Sequence, residues 1–510
     1  MRSPAVLALD QGTSSTKAVL VDADGVVRAT AARPLALTHP GPGRVEQDPV
    51  EIWASVVAAA GEALTALGRH PGAKLAAVAL STQRESVLAW HAATGEPLGP
   101  LVSWQDRRGA DRCARLAAGG RGEEITARTG LPVDPMFSAT KAAALLDDLD
   151  PGRAAARSGR IRVGTVDAWL LRRITGRDVT EAGNASRTQL LDLATVTWDP
   201  QLLDLFGVDR AALAQPVPST GPFGTADGLP GVPPGTPLAA VLADSHAALF
   251  AHGAGRPGVI KATYGSGSSL MALAPTGPGT GTGPEAGAGP GPGDVPEGLA
   301  RTVAWQLPGA APALAFEANI AAAGTAVRWA AHLLGTDEQG IAALAEEAEE
   351  TTAVLVPAFE GLGAPYWDRR ATAVFTGFTQ ATTRAAFARA ALDSTAFQVA
   401  ETLRLFARAL GPPRVLHADG GASANAALMR LQADLCGCPV RVSAHPENSA
   451  LGAARLAGVA LGMWTHADVR RHAERDTTLA RPRRDADWRA ARLARWRDAV
   501  RRARLPEDTP

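Results

Sequence analysis

The stretch from residue 6 to residue 21, VLALDQGTSSTKAVLV, constrains this chain more than any other. Two short apolar runs rich in β-branched residues flank a polar break, the pattern of strand, turn, strand. The break gathers a carboxylate (Asp10), a glycine (Gly12), the hydroxyls of Thr13, Ser14, Ser15 and Thr16, and one cation, Lys17. Small side chains let the main chain approach a ligand closely. Hydroxyls and successive N–H groups in such a turn form a concavity that accepts phosphate. A carboxylate at the strand end can hold Mg²⁺ beside nucleotide phosphates. Two readings fit this stretch alone: a phosphate-binding hairpin, and a plain hairpin with a Ser/Thr-rich turn.

At 510 residues the chain is too long for one core, and two or three domains are expected. Hydrophobic residues at 46% and charged residues at 20% describe a globular composition. Lys+Arg and Asp+Glu both number 51, and a formal net charge of zero argues against a nucleic-acid or membrane-surface partner. The N-terminus lacks the pattern of a signal peptide, and no window is expected to reach the apolar length of a membrane span. Cys436-Gly-Cys438 lacks the spacer and second ligand pair of a zinc site. With Cys113, these read as reduced, packed thiols of a cytoplasmic protein.

Residues 48–51, DPVE, are a helix start: a capping residue, a proline at the first position and a carboxylate. Residues 75–80 read as a buried parallel strand leading into Ser81-Thr82-Gln83-Arg84-Glu85, and residues 238–242 as another ending at Asp244. A second copy of the opening pattern follows: a strand over 259–263, the turn YGSGSS over 264–269 and a return strand over 270–273. Two such hairpins half a chain apart predict two similar domains facing each other. Residues 275–298, nearly all glycine, proline and small residues, read as a flexible loop. Residues 316–334 are predicted as one helix with Gly324 inside it, at a cost of up to ~1 kcal/mol against alanine. Residues 384–410 carry the clearest helical periodicity. A strand over 415–418 runs into DGGASAN and a helix, an arrangement that presents N–H groups to phosphate. The arginine-rich tail, 485–504, fits a terminal helix packed through Trp488, Leu493, Trp496 and Val500 better than the alternative, a basic helix for nucleic acid.

Several other chemistries fail. None of the lysines follows a glycine, so there is no P-loop. Gly253, Gly255 and Gly258 match the dinucleotide fingerprint by letter but precede a strand instead of following one. Ser245 and His246 are adjacent and do not face each other on a helix. Neither a nucleophile elbow nor a zinc-protease helix is present in the sequence.

With these residues in view, the chain resembles the FGGY family of carbohydrate kinases, most closely its glycerol kinase branch. The stretches ALDQGTSSTKAVLVD, STQRESVLAWHAATGEPLGPLVSWQDRR, ATYGSGSSLMAL, GLGAPYWD and HADGGASANAALMRL carry the resemblance, which runs in order from about residue 5 to 463. It implies the actin-like, ribonuclease H-like ATPase fold: α/β, two domains, a cleft between them. It assigns residues 1–250 to an N-terminal domain with the polyol or sugar site and phosphate hairpin, and 251–465 to a C-terminal domain with the nucleotide site. Residues 466–510 form a basic helical tail. ATP and Mg²⁺ are the implied cofactors, a small polyol or sugar the implied substrate, and a dimer or tetramer the implied assembly.

By the same resemblance Thr13, Ser14, Ser15 and Lys17 meet ATP phosphates, and Ser266, Gly324, Arg328, Gly421 and Asn425 fall on nucleotide-contact positions. Arg84, Glu85, Trp104, Met136, Asp244 and Ser245 fall on the acceptor site. Asp10 and Asp244 lie near Mg²⁺, and Asp244 is also the general base. Some positions depart from the glycerol kinase pattern. Met136 stands where a tyrosine hydroxyl holds glycerol, Ser245 replaces a glutamine, Leu270 replaces an aromatic residue, and Arg328 replaces a glutamine near the nucleotide. Two lost hydrogen-bonding groups, at ~0.5–1.5 kcal/mol each, weaken glycerol binding by roughly one to two decades. The expectation is an ATP-dependent kinase whose acceptor is larger or less uniformly polar than glycerol. The alternative is a same-fold ATPase or regulatory protein without sugar transfer.

Overall fold

The computed structural model of the chain describes residues 3–69, 73–253, 255–275, 295–348, 351–475 and 477–504. They form two compact units. The first takes Met1–Gly255, Arg301–Ala315 and Glu447–His472; the second takes Arg256–Ala300, Phe316–Pro446 and Ala473–Pro510. The units are therefore interleaved along the chain rather than successive.

In the first unit the strand Ser3–Gln11 pairs antiparallel with Ser15–Asp22, which closes the expected hairpin, and parallel with Ala73–Thr82. The full order is Leu238–Ala243, Ala73–Thr82, Ser3–Gln11, Ser15–Asp22, Val27–Pro34. Parallel register sets Gln11 opposite Thr82 and Thr82 opposite Ala243. The residues that follow these strands, Gly12–Ser15, Gln83–Glu85 and Asp244, thus emerge at one edge of one sheet. That is where open α/β sheets bind ligands.

The helix Pro49–Gly68 starts as expected, with Asp48 accepting from the Val50 N–H, and buries Ile52, Val56, Ala59, Ala60 and Ala63 against the core that holds Leu7, Leu9 and Leu80. Its mean hydropathy of 1.4 makes it long and apolar enough for a membrane span, against the expectation from sequence. The buried face is that of a helix lying on a sheet. The helix Asn448–Ala460 returns to this unit and crosses the helix Asp244–Gly253 so closely that a Cβ on Gly452 would lie 1.8 Å from the Ala247 carbonyl oxygen. Trp464 ties the same segment to the opening hairpin, its Nε1 donating to the Ala23 carbonyl at 2.7 Å.

The second unit repeats the plan. Ile260–Tyr264 pairs antiparallel with Ser268–Leu273 and parallel with Leu416–Asp419, which pairs parallel with Val440–Ser443. The helix Arg384–Leu410 contributes Leu392, Ala396, Val399, Leu403 and Phe406 to its core. The terminal helix Ala486–Ala503 stacks Trp496 on Phe397, with ring centroids 5.3 Å apart, and pairs Arg492 with Asp393 at 2.9 Å. Its arginines are thus partly consumed by packing.

Residues 316–334 are not one helix. They divide into the strand Ala313–Ile320 and the helix Gly324–Leu334. A short apolar run such as this has no period long enough to separate strand from helix. Gly324 begins the helix, so the mid-helix cost does not arise. Its N–H donates to the Gly265 carbonyl at 3.0 Å, and an added Cβ would lie 2.6 Å from that oxygen. Most of the Gly/Pro-rich stretch, 276–294, lies outside the described residues.

Candidate functional site

In the first unit, main-chain geometry builds the turn over residues 12–15. The Gly12 N–H donates to the Ser15 carbonyl at 3.0 Å, closing it tightly, with Ser14 exposed and Thr13, Ser15 and Lys17 half-buried. Gln83 is buried behind the turn. Its amide donates to Gln47 Oε1 at 3.0 Å and Gln11 Oε1 at 3.2 Å, and it accepts from Ser86 Oγ at 2.8 Å and Thr13 Oγ1 at 3.4 Å. Trp104 Nε1 donates to Thr13 Oγ1 at 2.9 Å. One hydrogen-bonded chain therefore runs from the Trp104 indole through Thr13 to Gln83.

Arg84 Nε lies 2.9 Å from Asp244 Oδ1. Glu85 sits at φ 61°, a left-handed conformation that is rare outside glycine. It is over-determined by its partners: Arg187 Nε meets its Oε1 at 2.6 Å, Ser138 Oγ donates to its carbonyl at 3.1 Å, and the Arg187 guanidinium lies over the Phe137 ring at 5.2 Å. Strain of this kind persists where surroundings hold it, commonly at binding sites. Ser245 is nearly buried, its N–H donating to Asp244 Oδ1 at 2.6 Å, and Met136 is half-buried.

Burial first, and then the nearby Asp244 carboxylate, push the Asp10 carboxyl up to about 7; Glu447 adds to the rise, while Ser81 and Lys17 oppose it. Asp10 Oδ1 is enclosed and accepts no hydrogen bond of good geometry among the described residues. No group of three metal-ligating side chains occurs among those residues. A two-carboxylate site suits Mg²⁺, which keeps waters and takes the rest of its shell from phosphate.

In the second unit Ser266 is exposed on its turn, its carbonyl accepting from the N–H groups of Ala323 at 3.1 Å and Thr325 at 3.0 Å. The turn and the helix start at Gly324 are thereby one construction. Gly421 is exposed with open space where a Cβ would stand, and Asn425 caps the helix Ala426–Cys436 by accepting from the Leu428 N–H at 2.9 Å. Arg328 is exposed and reaches Thr325 Oγ1 at 3.2 Å. Leu270 is fully buried in the core of this unit.

The sequence matches the N-terminal domain of the FGGY family of carbohydrate kinases over residues 5–251 and the C-terminal domain over residues 294–461. The chain belongs to the FGGY family of carbohydrate kinases. It is 40% identical to the apulose kinase of Pectobacterium atrosepticum, covering 99% of both chains, and 39% identical to the glycerol kinase of Paraburkholderia phymatum, covering 100% of both. The crystal structure of Plasmodium falciparum glycerol kinase with ADP matches at a TM-score of 0.86 with 26% identity, over 99% of each chain. This FGGY kinase has the actin-like ATPase fold and phosphorylates a sugar or polyol with ATP.

Four residues of this FGGY kinase that sequence reasoning passed over belong to the same local structure: Gln83, Arg187, Lys141 and Glu447. Gln83 and Arg187 lie inside polar runs that could have drawn attention. Lys141 was legible only as a lysine near the start of a helix over 136–149, and Glu447, far along the chain, gave no local signal.

Proposed function

We propose that this FGGY kinase transfers the γ-phosphoryl group of ATP to a hydroxyl of a polyol or sugar bulkier than glycerol, with Asp244 as general base. The observation that carries the reading is the Arg84–Asp244 ion pair at 2.9 Å, beside a Glu85 fixed in a left-handed conformation by Arg187. The ion pair aims the carboxylate, and an adjacent cation and anion can grip neighbouring hydroxyls of the acceptor. Asp244 takes the proton of the attacking hydroxyl, and Trp104 forms a wall of the same site. Met136 and Ser245 leave more room and fewer donors than the tyrosine and glutamine of the glycerol kinase pattern. The apulose named in one relative is a candidate acceptor.

Thr13, Ser14, Ser15 and Lys17 receive phosphate in this reading, and Ser266, Gly324, Arg328, Gly421 and Asn425 the rest of the nucleotide. Asp10 and Asp244 would hold Mg²⁺, and the enclosed, unsatisfied Asp10 Oδ1 supports this. Bound there, the ion supplies neutralisation of phosphate charge. We infer a cytoplasmic setting from the three free thiols.

ADP release measured across glycerol, erythritol, xylitol, xylulose and apulose tests the acceptor. A preference for a sugar or longer polyol is expected; a clear preference for glycerol overturns the bulkier-acceptor reading. Asp244→Asn is expected to lower kcat by about 10²–10⁴-fold, and a fully active variant removes Asp244 from the chemistry.

A further inference from the structure

Lys141 is placed where a lysine is costly. It is fully buried, in the first turns of the helix Ser138–Leu149, where the helix dipole disfavours a cation. No carboxylate lies within ion-pair distance of it among the described residues. Its ammonium instead donates to three successive main-chain carbonyls: Pro135 at 3.1 Å, Phe137 at 3.1 Å, and Met136. An ammonium has three donors, so all are used on one turn. That turn is also fixed from its other end, where Asp134 Oδ1 accepts from the Met136 N–H at 2.9 Å. Met136 and Phe137 are thus held through their main-chain atoms by the side chains of Lys141 and Asp134. Phe137 lies under the Arg187 guanidinium that grips Glu85, and Ser138 bonds the Glu85 carbonyl.

We propose that Lys141 is a positioning residue for acceptor selection: by binding the carbonyls of Pro135, Met136 and Phe137 it fixes the turn that presents Met136 and braces Glu85. The inference rests on the acceptor reading above and adds to it the device that holds one wall. It predicts a pH dependence. Burial lowers the Lys141 pKa to about 8, against the attraction of Glu85, Asp106, Asp134 and the Cys113 thiol, the titratable groups that face it. Neutral Lys141 has two donors and a lone pair for three carbonyls, so the turn loosens as pH rises through that value.

The test is steady-state kinetics of the full chain with glycerol and with xylulose, from about pH 6.5 to 9.5, spanning that titration. Wild type, Lys141→Met and Lys141→Arg are compared. The acceptor KM of wild type is expected to rise above about pH 8 while the ATP KM stays flat. Lys141→Met is expected to raise the acceptor KM about tenfold, the loss of roughly one good interaction, to change the ratio of kcat/KM between the two acceptors, and to lose the alkaline rise. Lys141→Arg should recover part of the affinity. An acceptor KM in wild type that is flat over the range overturns the inference, as does a Lys141→Met variant that shifts acceptor and ATP constants together. If Lys141→Met does not fold, the wild-type series decides alone with the same two outcomes. A wild type that phosphorylates neither compound nor any of the wider panel overturns the acceptor reading and this inference with it. An active wild type with a flat profile overturns this inference only.

Discussion

Gln83 has no charge and touches no expected reacting atom, yet it joins Thr13, Gln47, Gln11 and Ser86 behind the turn over residues 12–15. A buried polar hub of this kind is rigid because every partner needs it. Gln83→Leu leaves several of those groups unsatisfied and should cost about 1–3 kcal/mol of stability, seen as a lower urea midpoint. Because Thr13 also accepts from Trp104, the acceptor kcat/KM should fall about tenfold; unchanged kinetics would show that the hub serves the fold only. Glu181 makes a different prediction. It caps a buried helix by accepting from the Gly183 and Asn184 N–H groups at 2.8 Å, and from Ser219 at 2.5 Å, while burial pushes its carboxyl from 4.5 up to about 7. The folded chain therefore binds this proton more tightly than the unfolded one. Stability contributed by the protonated form is lost as pH rises from about 4.5 through 7, and no more is lost above. The difference in Tm between pH 5 and pH 8 should narrow in Glu181→Gln, and an unchanged difference would remove Glu181 as its source.

At the scale of elements, glycines separate positions that need space from positions that do not. Gly452 lets two helices cross at backbone contact, since a Cβ would lie 1.8 Å from the Ala247 oxygen. Gly452→Ala should therefore cost about 1–3 kcal/mol or more in chemical unfolding. Gly61, in the helix Pro49–Gly68, meets nothing within 4 Å, and Gly61→Ala should stabilise by up to about 1 kcal/mol. Equal effects at the two sites would contradict the packing described. These elements also show what was legible beforehand. Both hairpins, the helix capped by Asp48, and the strand ending at Asp244 could be read because their signals lie within a few residues: apolar alternation, a capping carboxylate, a glycine at a turn. The stretch 316–334 was misread because an apolar run of that length fits either period. Arg187 against Glu85 and Glu447 against Asp10 were invisible because contacts across long sequence separations leave no local pattern.

At the scale of the whole molecule, the interleaving of the two units matters most. The segment Glu447–His472 completes the first unit, and the helix Ala486–Ala503 packs into the core of the second. A fragment ending at residue 446 should therefore lose both, and is expected to show weak near-ultraviolet circular dichroism and to aggregate. A fragment with a native-like near-ultraviolet spectrum would mean that the returning helix is dispensable. The crossing at Gly452 carries a consequence for synthesis. The helix that covers Asp244–Gly253 arrives only after some two hundred further residues have been translated. During that interval the nascent first unit displays an uncovered alanine-rich face, so in the cell this kinase should depend on chaperone protection until the helix Asn448–Ala460 has emerged.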